Sequence, residues 1–283
     1  MSRTIIVAID FSKESIRALK EALSIARRLE VGVQMVHVVA DFEVAKDIEA
    51  LHEFDKLRRV EIDQELSSLQ TRFSDWGVKL SNRVVDGSPG AVLCRLAEEV
   101  DCEMMVIGAH GRVGFPRYYM GSVADRITRN APCDVLIARG GGRRDYRRIL
   151  VPVDFSIPAK RAVDRAIELA TKEAEIDLFH VWELPGRYQH APYSTYPKAL
   201  KEITAHMREK VDERAAPLLA TYRRDHRRIE FDSARGSPGP SIINQASGYD
   251  LIVLGGRQER ENTHPVASSV LRFAPCSVLR AWT

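Results

Sequence analysis

The chain has 283 residues, which allows one large domain or two domains of about 140 residues each. Hydrophobic residues make up 45% and charged residues 29%, as in ordinary globular proteins. The net charge of +3 is too small to indicate a nucleic-acid-binding surface, and we interpret the one dense basic stretch, 139–148, as a solvated linker.

The apolar segments indicate no membrane-spanning helix, because none reaches the length of about 18 residues that a spanning helix needs. The sequence starts with "MSRTIIVAID", which enters an apolar strand at once and lacks the layout of a signal peptide. The four cysteines form no C-x-x-C pair and show no zinc-binding spacing. These features favour a reducing cytoplasm as the location.

The first half alternates short β-rich runs with longer amphipathic stretches. This pattern predicts strands at 4–9, 33–39, 79–85, 103–108 and 133–138, separated by helices at roughly 13–29, 43–74, 89–100 and 119–130. The first and fourth strands, "IIVAI" and "MMVIG", are apolar throughout, as expected when helices cover both faces of a parallel sheet. We therefore expect a doubly wound α/β domain with right-handed crossovers.

The second half repeats the first, after a linker near 140–147 that begins with "GGG". "TIIVAIDFSKESIRALKEALSIA" matches "RILVPVDFSIPAKRAVDRAIELA", and "DGSPGAVL", "MMVIG" and "APCDVLIAR" match "RGSPGPSI", "LIVLG" and "APCSVLRAW" in the same order. This agreement indicates a tandem duplication, with domains at 1–141 and 146–283. The predicted strands of the second half are 148–153, 176–182, 228–234, 250–255 and 276–281.

A candidate ligand site follows the first and fourth strands of the first half. Ligands in open α/β sheets bind beyond the carboxyl ends of the strands, where the strand order reverses. Gly108, Gly111 and Gly121 form a G-x2-G-x9-G pattern that Ser122 follows at a predicted helix start. Glycines allow close backbone approach, and a helix N-terminus favours an anion such as phosphate.

Other residues near this pattern have alternative roles. Asp10 could hold a divalent cation that bridges phosphates, or Asp10 and Ser12 could only cap the first helix. His110 could bind phosphate or be an exposed loop histidine, and we interpret Arg112 as a phosphate contact. His37 and its repeat His180 are interpreted as structural, because each follows buried strand residues in both halves.

These residues together resemble the universal stress protein family, and the chain is similar to its tandem class. The resemblance rests on "AIDFS", "HVV" and the G-x2-G-x9-G-S pattern, and it implies two five-stranded, Rossmann-like sheets of order 3-2-1-4-5. The pattern is that of the ATP-binding branch, which implies ATP with Mg²⁺ or Mn²⁺ as the cofactor, with Asp10 as a metal contact. The nucleotide would be surrounded by Ala8, Ile9, Asp10, Val38 (through its backbone), Gly108, His110, Gly111, Gly121, Ser122 and Val123, and Ser12 and Arg112 complete the predicted set of cofactor-binding residues.

The second half departs from this pattern. Counted back from the shared "APC", His264 and Pro265 replace Gly121 and Ser122, and the loop is four residues shorter. Proline has no N–H, so we expect one nucleotide site per chain, in the first half. The segment 183–197, rich in tyrosine and proline, is predicted to be a packed surface loop, with a lid over an unknown ligand as the alternative.

Three functions fit these observations. The first is a nucleotide-responsive stress or signalling module with little or no turnover. The second is an enzyme, either a slow ATPase or a nucleotide-dependent enzyme that adenylates a substrate. The chain lacks the G-x-x-x-x-G-K-[ST] and S-G-G-x-D-S loops of related nucleotide enzymes, which argues against this second function. The third is a scaffold with a vestigial site.

The resemblance also implies that the domains pair through their final strands. Such pairing would make the chain an internal pseudo-dimer, and whole chains could form a homodimer.

Overall fold

A computed structural model describes residues 3–40, 49–111, 120–139, 145–184, 197–222, 225, 227–257 and 264–282. The chain divides into two compact units between residues 144 and 145. Within the described residues, no helix combines the length and the apolar character that crossing a membrane requires.

The first unit is a five-stranded parallel sheet with connecting helices. Its elements are β1 (Thr4–Ala8), α1 (Lys13–Leu29), β2 (Gly32–Val39), α2 (Glu49–Arg72), β3 (Leu80–Asp86), α3 (Pro89–Glu99), β4 (Cys102–Gly108), α4 (Ser122–Asn130) and β5 (Asp134–Ala138). The strand order is β3-β2-β1-β4-β5, with every pair parallel. The order reverses between β1 and β4, as predicted.

The second unit repeats this arrangement. Its elements are β6 (Tyr146–Pro152), α5 (Ile157–Leu169), β7 (Ala170–Trp182), α6 (Pro197–Tyr222), β8 (Arg228–Arg235), α7 (Pro238–Gln245), β9 (Leu251–Gly256), α8 (Pro265–Phe273) and β10 (Ser277–Trp282). Its strand order is β8-β7-β6-β9-β10, again parallel. The predicted fold class is therefore confirmed in both halves.

The central strands are buried because helices pack on both faces of each sheet. Ile5, Ile6 and Val7 of β1 are fully buried, as are the middle residues of β4. The inward face of α1 repeats small and large apolar residues at helical spacing, which brings Ala18 and Ala22 against the sheet. The sequence predicted this core because its two signals, the continuous apolar run of β1 and the helical spacing of apolar residues in α1, are both local.

Most predicted boundaries lie within one or two residues of the observed ones, but two element starts differ by three or more residues. β7 begins at Ala170 and not at 176, because the backbone becomes extended there and Ala170 pairs with Tyr146 before the register shifts. α4 begins at Ser122 and not at 119, because Gly121 has an extended backbone and acts as its N-cap. Residue 119 itself lies outside the described residues, as do residues 43–48 at the predicted start of α2.

Candidate functional site

A cavity of about 320 Å³ opens at the carboxyl ends of β1 and β4. This is the edge at which ligands bind in doubly wound sheets. The predicted site residues that line it are Ala8, Ile9, Asp10, Val38, Gly108, His110, Gly111, Gly121, Ser122 and Val123. Ser12 is not among the lining residues, and Arg112 lies outside the described residues.

The turn after β1 is held by side-chain caps. The Oδ1 atom of Asp10 accepts two hydrogen bonds from Ser12. The backbone N–H of Ser12 donates one at 3.0 Å, and the Ser12 hydroxyl donates the other at 2.5 Å. The Ser12 hydroxyl in turn accepts from the backbone N of Ser15, at 3.1 Å, and so caps α1. Between them Phe11 has a φ of 62°, a conformation that a bulky residue keeps only in a tightly constrained turn.

The second unit contains the same turn. Asp154 accepts from the backbone N of Ser156 at 3.0 Å, Ser156 caps α5, and Phe155 has a φ of 64°. Because both units need this turn to start a helix, the Asp-Phe-Ser sequence is a folding feature in each. It does not by itself distinguish a ligand site from a helix cap.

The repeated histidines support the same turns. The Nδ1 atom of His37 lies 2.7 Å from the carbonyl oxygen of Ile9, and that of His180 lies 2.6 Å from the carbonyl oxygen of Val153. A carbonyl only accepts, so each Nδ1 carries the proton. Each ring also packs against the phenylalanine of the turn, with centroids 5.0 and 4.8 Å apart. The structural interpretation of these histidines agrees with this geometry.

The three glycines of the pattern have different surroundings. A Cβ atom on Gly108 would lie 3.0 Å from the Cβ of Glu14 in the first turn of α1. A Cβ on Gly111 would lie 2.9 Å from the Oδ2 of Asp10, whereas one on Gly121 would meet nothing closer than 3.8 Å. Gly108 and Gly111 therefore allow close approach between parts of the protein, and Gly121 leaves space open to the cavity.

The start of α4 presents backbone donors to the cavity. The N–H of Gly121 is already used, because it donates to the carbonyl oxygen of Ala109 at 3.1 Å. The next three residues, Ser122, Val123 and Ala124, are the first turn of the helix, where N–H groups have no intrahelical acceptor. All three line the cavity. Together with the helix dipole and the Ser122 hydroxyl, they form a site suited to an anion.

His110 adds a polar atom to the same cavity. Its Nε2 is buried and has no hydrogen-bond partner among the described residues. Buried polar atoms are costly when unpaired, so such an atom in a ligand-sized cavity indicates a group that a ligand could satisfy.

The equivalent helix start in the second unit is blocked. Pro265 is the first residue of α8 and has no N–H. The N–H of Val266 points to the Nδ1 of His264, the N-cap residue, at 3.4 Å. Of the first three N–H positions of α8, proline therefore removes one and the side chain of the N-cap residue engages a second. The predicted contrast between the two halves is thus visible in their helix N-termini.

Several cavity residues were missed by sequence reasoning. They are mostly apolar residues of β2, α3 and β4, together with one serine: Ser15, Val36, His37, Pro89, Leu93, Ile107, Ala109 and Ala124. Leu93 and Pro89 belong to an ordinary amphipathic helix, and no local signal distinguishes a side chain facing the cavity from one facing the sheet. Only the packing of α3 beside β2 and α4 brings them to the site.

Comparison with known proteins agrees with this architecture. Residues 1–139 and 145–280 each match the sequence model of the universal stress protein family. A universal stress protein of Methanocaldococcus jannaschii is 29% identical over 140 residues, which are 48% of this chain and 82% of that protein. A universal stress protein from Archaeoglobus fulgidus shares the fold across 100% of this chain and 99% of its own, at 16% identity and a TM-score of 0.69.

Another universal stress protein has been solved in complex with cAMP. Its sequence is 25% identical to this chain, the match covers 49% of this chain and 97% of that protein, and the TM-score is 0.40. The family matches cover most of the sequence, and each spans one of the two sheets described above. The chain therefore belongs to the universal stress protein family and contains two of its domains in tandem.

Proposed function

We propose that this protein binds one ATP, with Mg²⁺ or Mn²⁺, in the cavity of the first unit and acts as a nucleotide-responsive stress or signalling module. The observation on which the proposal depends is the difference between the N-termini of α4 and α8. One presents three backbone N–H groups to a cavity, and the other has lost two of these donors to Pro265 and His264.

The cavity lining has the polarity that a nucleotide needs. Its volume falls within the range of small-molecule sites, which is roughly 300–1,000 Å³. Val36, Leu93 and Ile107 supply an apolar side against which a base can pack. The first turn of α4 and the Nε2 of His110 supply a polar side for phosphate or ribose oxygens. The two sides thus separate base recognition from phosphate recognition.

Asp10 would take the metal contact in this proposal. Its Oδ1 is used by the turn, and its Oδ2 faces the position of Gly111 at the cavity edge. A carboxylate oxygen there suits a hard divalent cation that arrives with the phosphates. The role of this chain is then to bind and orient the nucleotide, with the cation neutralising phosphate charge.

The test is a pair of matched variants, Gly121→Asp and His264→Asp. An aspartate at position 121 fits the open space, caps α4 and brings a negative charge to the phosphates, so α4 should still form. We expect ATP affinity in isothermal calorimetry to fall by roughly 100-fold or more, since opposed like charges cost several kcal/mol. His264→Asp makes the equivalent change at α8 and should leave affinity unchanged.

Nucleotide released from the denatured wild-type chain should be identified by mass spectrometry. Absence of released nucleotide together with no titratable ATP affinity would overturn the proposal and favour a scaffold. Steady ADP production that Asp10→Ala abolishes would favour the slow ATPase. Equal weakening by both aspartate variants would contradict the assignment of the site to the first unit.

A further inference from the structure

Two cysteine thiols are in contact at the edge of the first sheet opposite the cavity. Cys102 is the first residue of β4, and Cys133 directly precedes β5, so both lie at the amino ends of their strands. Their Sγ atoms are 3.2 Å apart, with the thiol of Cys133 donating to the sulfur of Cys102. Both residues are half-buried, which leaves them accessible to a small molecule.

We propose that Cys102 and Cys133 form a reversible disulfide when the protein meets a hydroperoxide, so that the first unit contains a redox-responsive dithiol. The proposal is independent of nucleotide binding. β4 and β5 are neighbouring parallel strands whose pairing starts at Met104 and Asp134, so both cysteines lie just before the paired residues of adjacent strands, with their sulfurs in contact. Closing the sulfur separation to the roughly 2.05 Å of a disulfide therefore needs only a small shift.

The surroundings assign different roles to the thiols. The hydrogen bond to Cys102, burial and the charge of Asp134 raise the pKa of Cys133, so this thiol retains its proton. Burial raises the pKa of the Cys94 thiol to about 11, which makes Cys94 a poor nucleophile. Cys102 accepts the hydrogen bond through its sulfur, whereas Cys133 holds its own proton in that bond. Cys102 is therefore the attacking sulfur.

The chemistry balances with hydrogen peroxide as the oxidant. The Cys102 thiolate attacks one peroxide oxygen, the O–O bond breaks, and hydroxide leaves while Cys102 becomes a sulfenic acid. The Cys133 sulfur then attacks the Cys102 sulfur as its thiol proton is lost, and the sulfenic oxygen leaves as water. The two thiols together lose two electrons and two protons, and the peroxide is reduced to two waters.

The second unit provides an internal control. Cys276 occupies the place of Cys133 in the repeated "APC" sequence, but Tyr249 occupies the place of Cys102. Cys276 thus has no cysteine at the equivalent neighbouring position. Within the described residues, no group of three or more metal-ligating side chains is arranged to hold an ion. The thiol pair is therefore better explained by redox chemistry than by a metal site.

Tryptic mapping of the full chain after hydrogen peroxide treatment tests the proposal. Arg95 and Arg112 flank Cys102, Arg129 and Arg139 flank Cys133, and Cys94 and Cys276 fall in other peptides. We expect free thiols to fall from four to two per chain, the intact mass to fall by about 2 Da, and the Cys102 and Cys133 peptides to be linked. A dithiol reductant should restore all the free thiols.

Variants separate the roles of the two sulfurs. Cys133→Ser should stall oxidation at the Cys102 sulfenic acid, which dimedone traps, whereas Cys102→Ser should prevent the disulfide. Cys276→Ser should leave the crosslink unchanged. A crosslink that includes Cys94 or Cys276, unchanged free thiols, or only irreversible sulfinic and sulfonic products in the wild-type chain would each overturn the proposal.

Discussion

Gly255 and Gly108 occupy equivalent positions at the carboxyl ends of β9 and β4, but the space around them differs. A Cβ atom on Gly255 would lie 2.1 Å from the carbonyl oxygen of Pro158, a backbone atom in the first turn of α5. The corresponding atom on Gly108 would lie 3.0 Å from the Cβ of Glu14. The glycine at the carboxyl end of the fourth strand is thus required for helix–sheet packing, most strongly in the second unit.

This difference predicts unequal stability losses for two identical substitutions. Gly255→Ala forces backbone movement and should cost about 3 kcal/mol or more of unfolding free energy, whereas Gly108→Ala should cost about 1 kcal/mol. Urea denaturation of each variant measures the losses. Gly121→Ala, where the space is open, is the control and should change stability least. Equal losses at 108 and 255 would contradict the packing argument.

At the scale of the element, the turns before α1 and α5 share two hydrogen bonds, one from the serine backbone N–H to the aspartate and one that caps the helix at the serine hydroxyl, but they have different neighbours. We expect Asp10→Ala and Asp154→Ala to lose similar stability, about 0.5–2 kcal/mol, because each removes an acceptor that holds a helix cap. Only Asp10→Ala should weaken ATP binding in the presence of Mg²⁺. Thermal melts and calorimetry on both variants separate the two effects; unchanged affinity in Asp10→Ala would limit Asp10 to the turn.

The sequence predicted the elements whose signals are local. β1 and β4 follow from continuous apolar runs, and α1 follows from its period and its Ser12 cap. The early start of β7 depends on pairing between Tyr146 and Ala170, which no local pattern contains. In the cavity, Gly121 and Ser122 were predicted because helix starts and glycines have known preferences. Leu93 was missed because its position depends on how α3 packs.

At the scale of the whole molecule, two copies of one fold offer one intact candidate site. ATP at 100 times its dissociation constant stabilises a one-site protein by about 2.7 kcal/mol. We expect this stabilisation in the first unit alone, so hydrogen exchange should slow in β1, β4 and α4 and remain unchanged in β6 and β9. Equal protection of both units, measured by mass spectrometry, would contradict a single site. The internal pseudo-dimer and the homodimer stay predictions.

The packing role of Gly255 has a consequence for how degenerate copies of this domain are recognised. A glycine at the carboxyl end of the fourth strand is present in both units, including the one whose α8 begins with proline, so its presence reports the packing of the fold. Under the proposed function, the positions that carry information about the ligand are those of Gly121 and Ser122. A sequence signature weighted toward that dipeptide is then expected to separate binding copies of the domain from non-binding ones, whereas one weighted toward Gly108 would merge them.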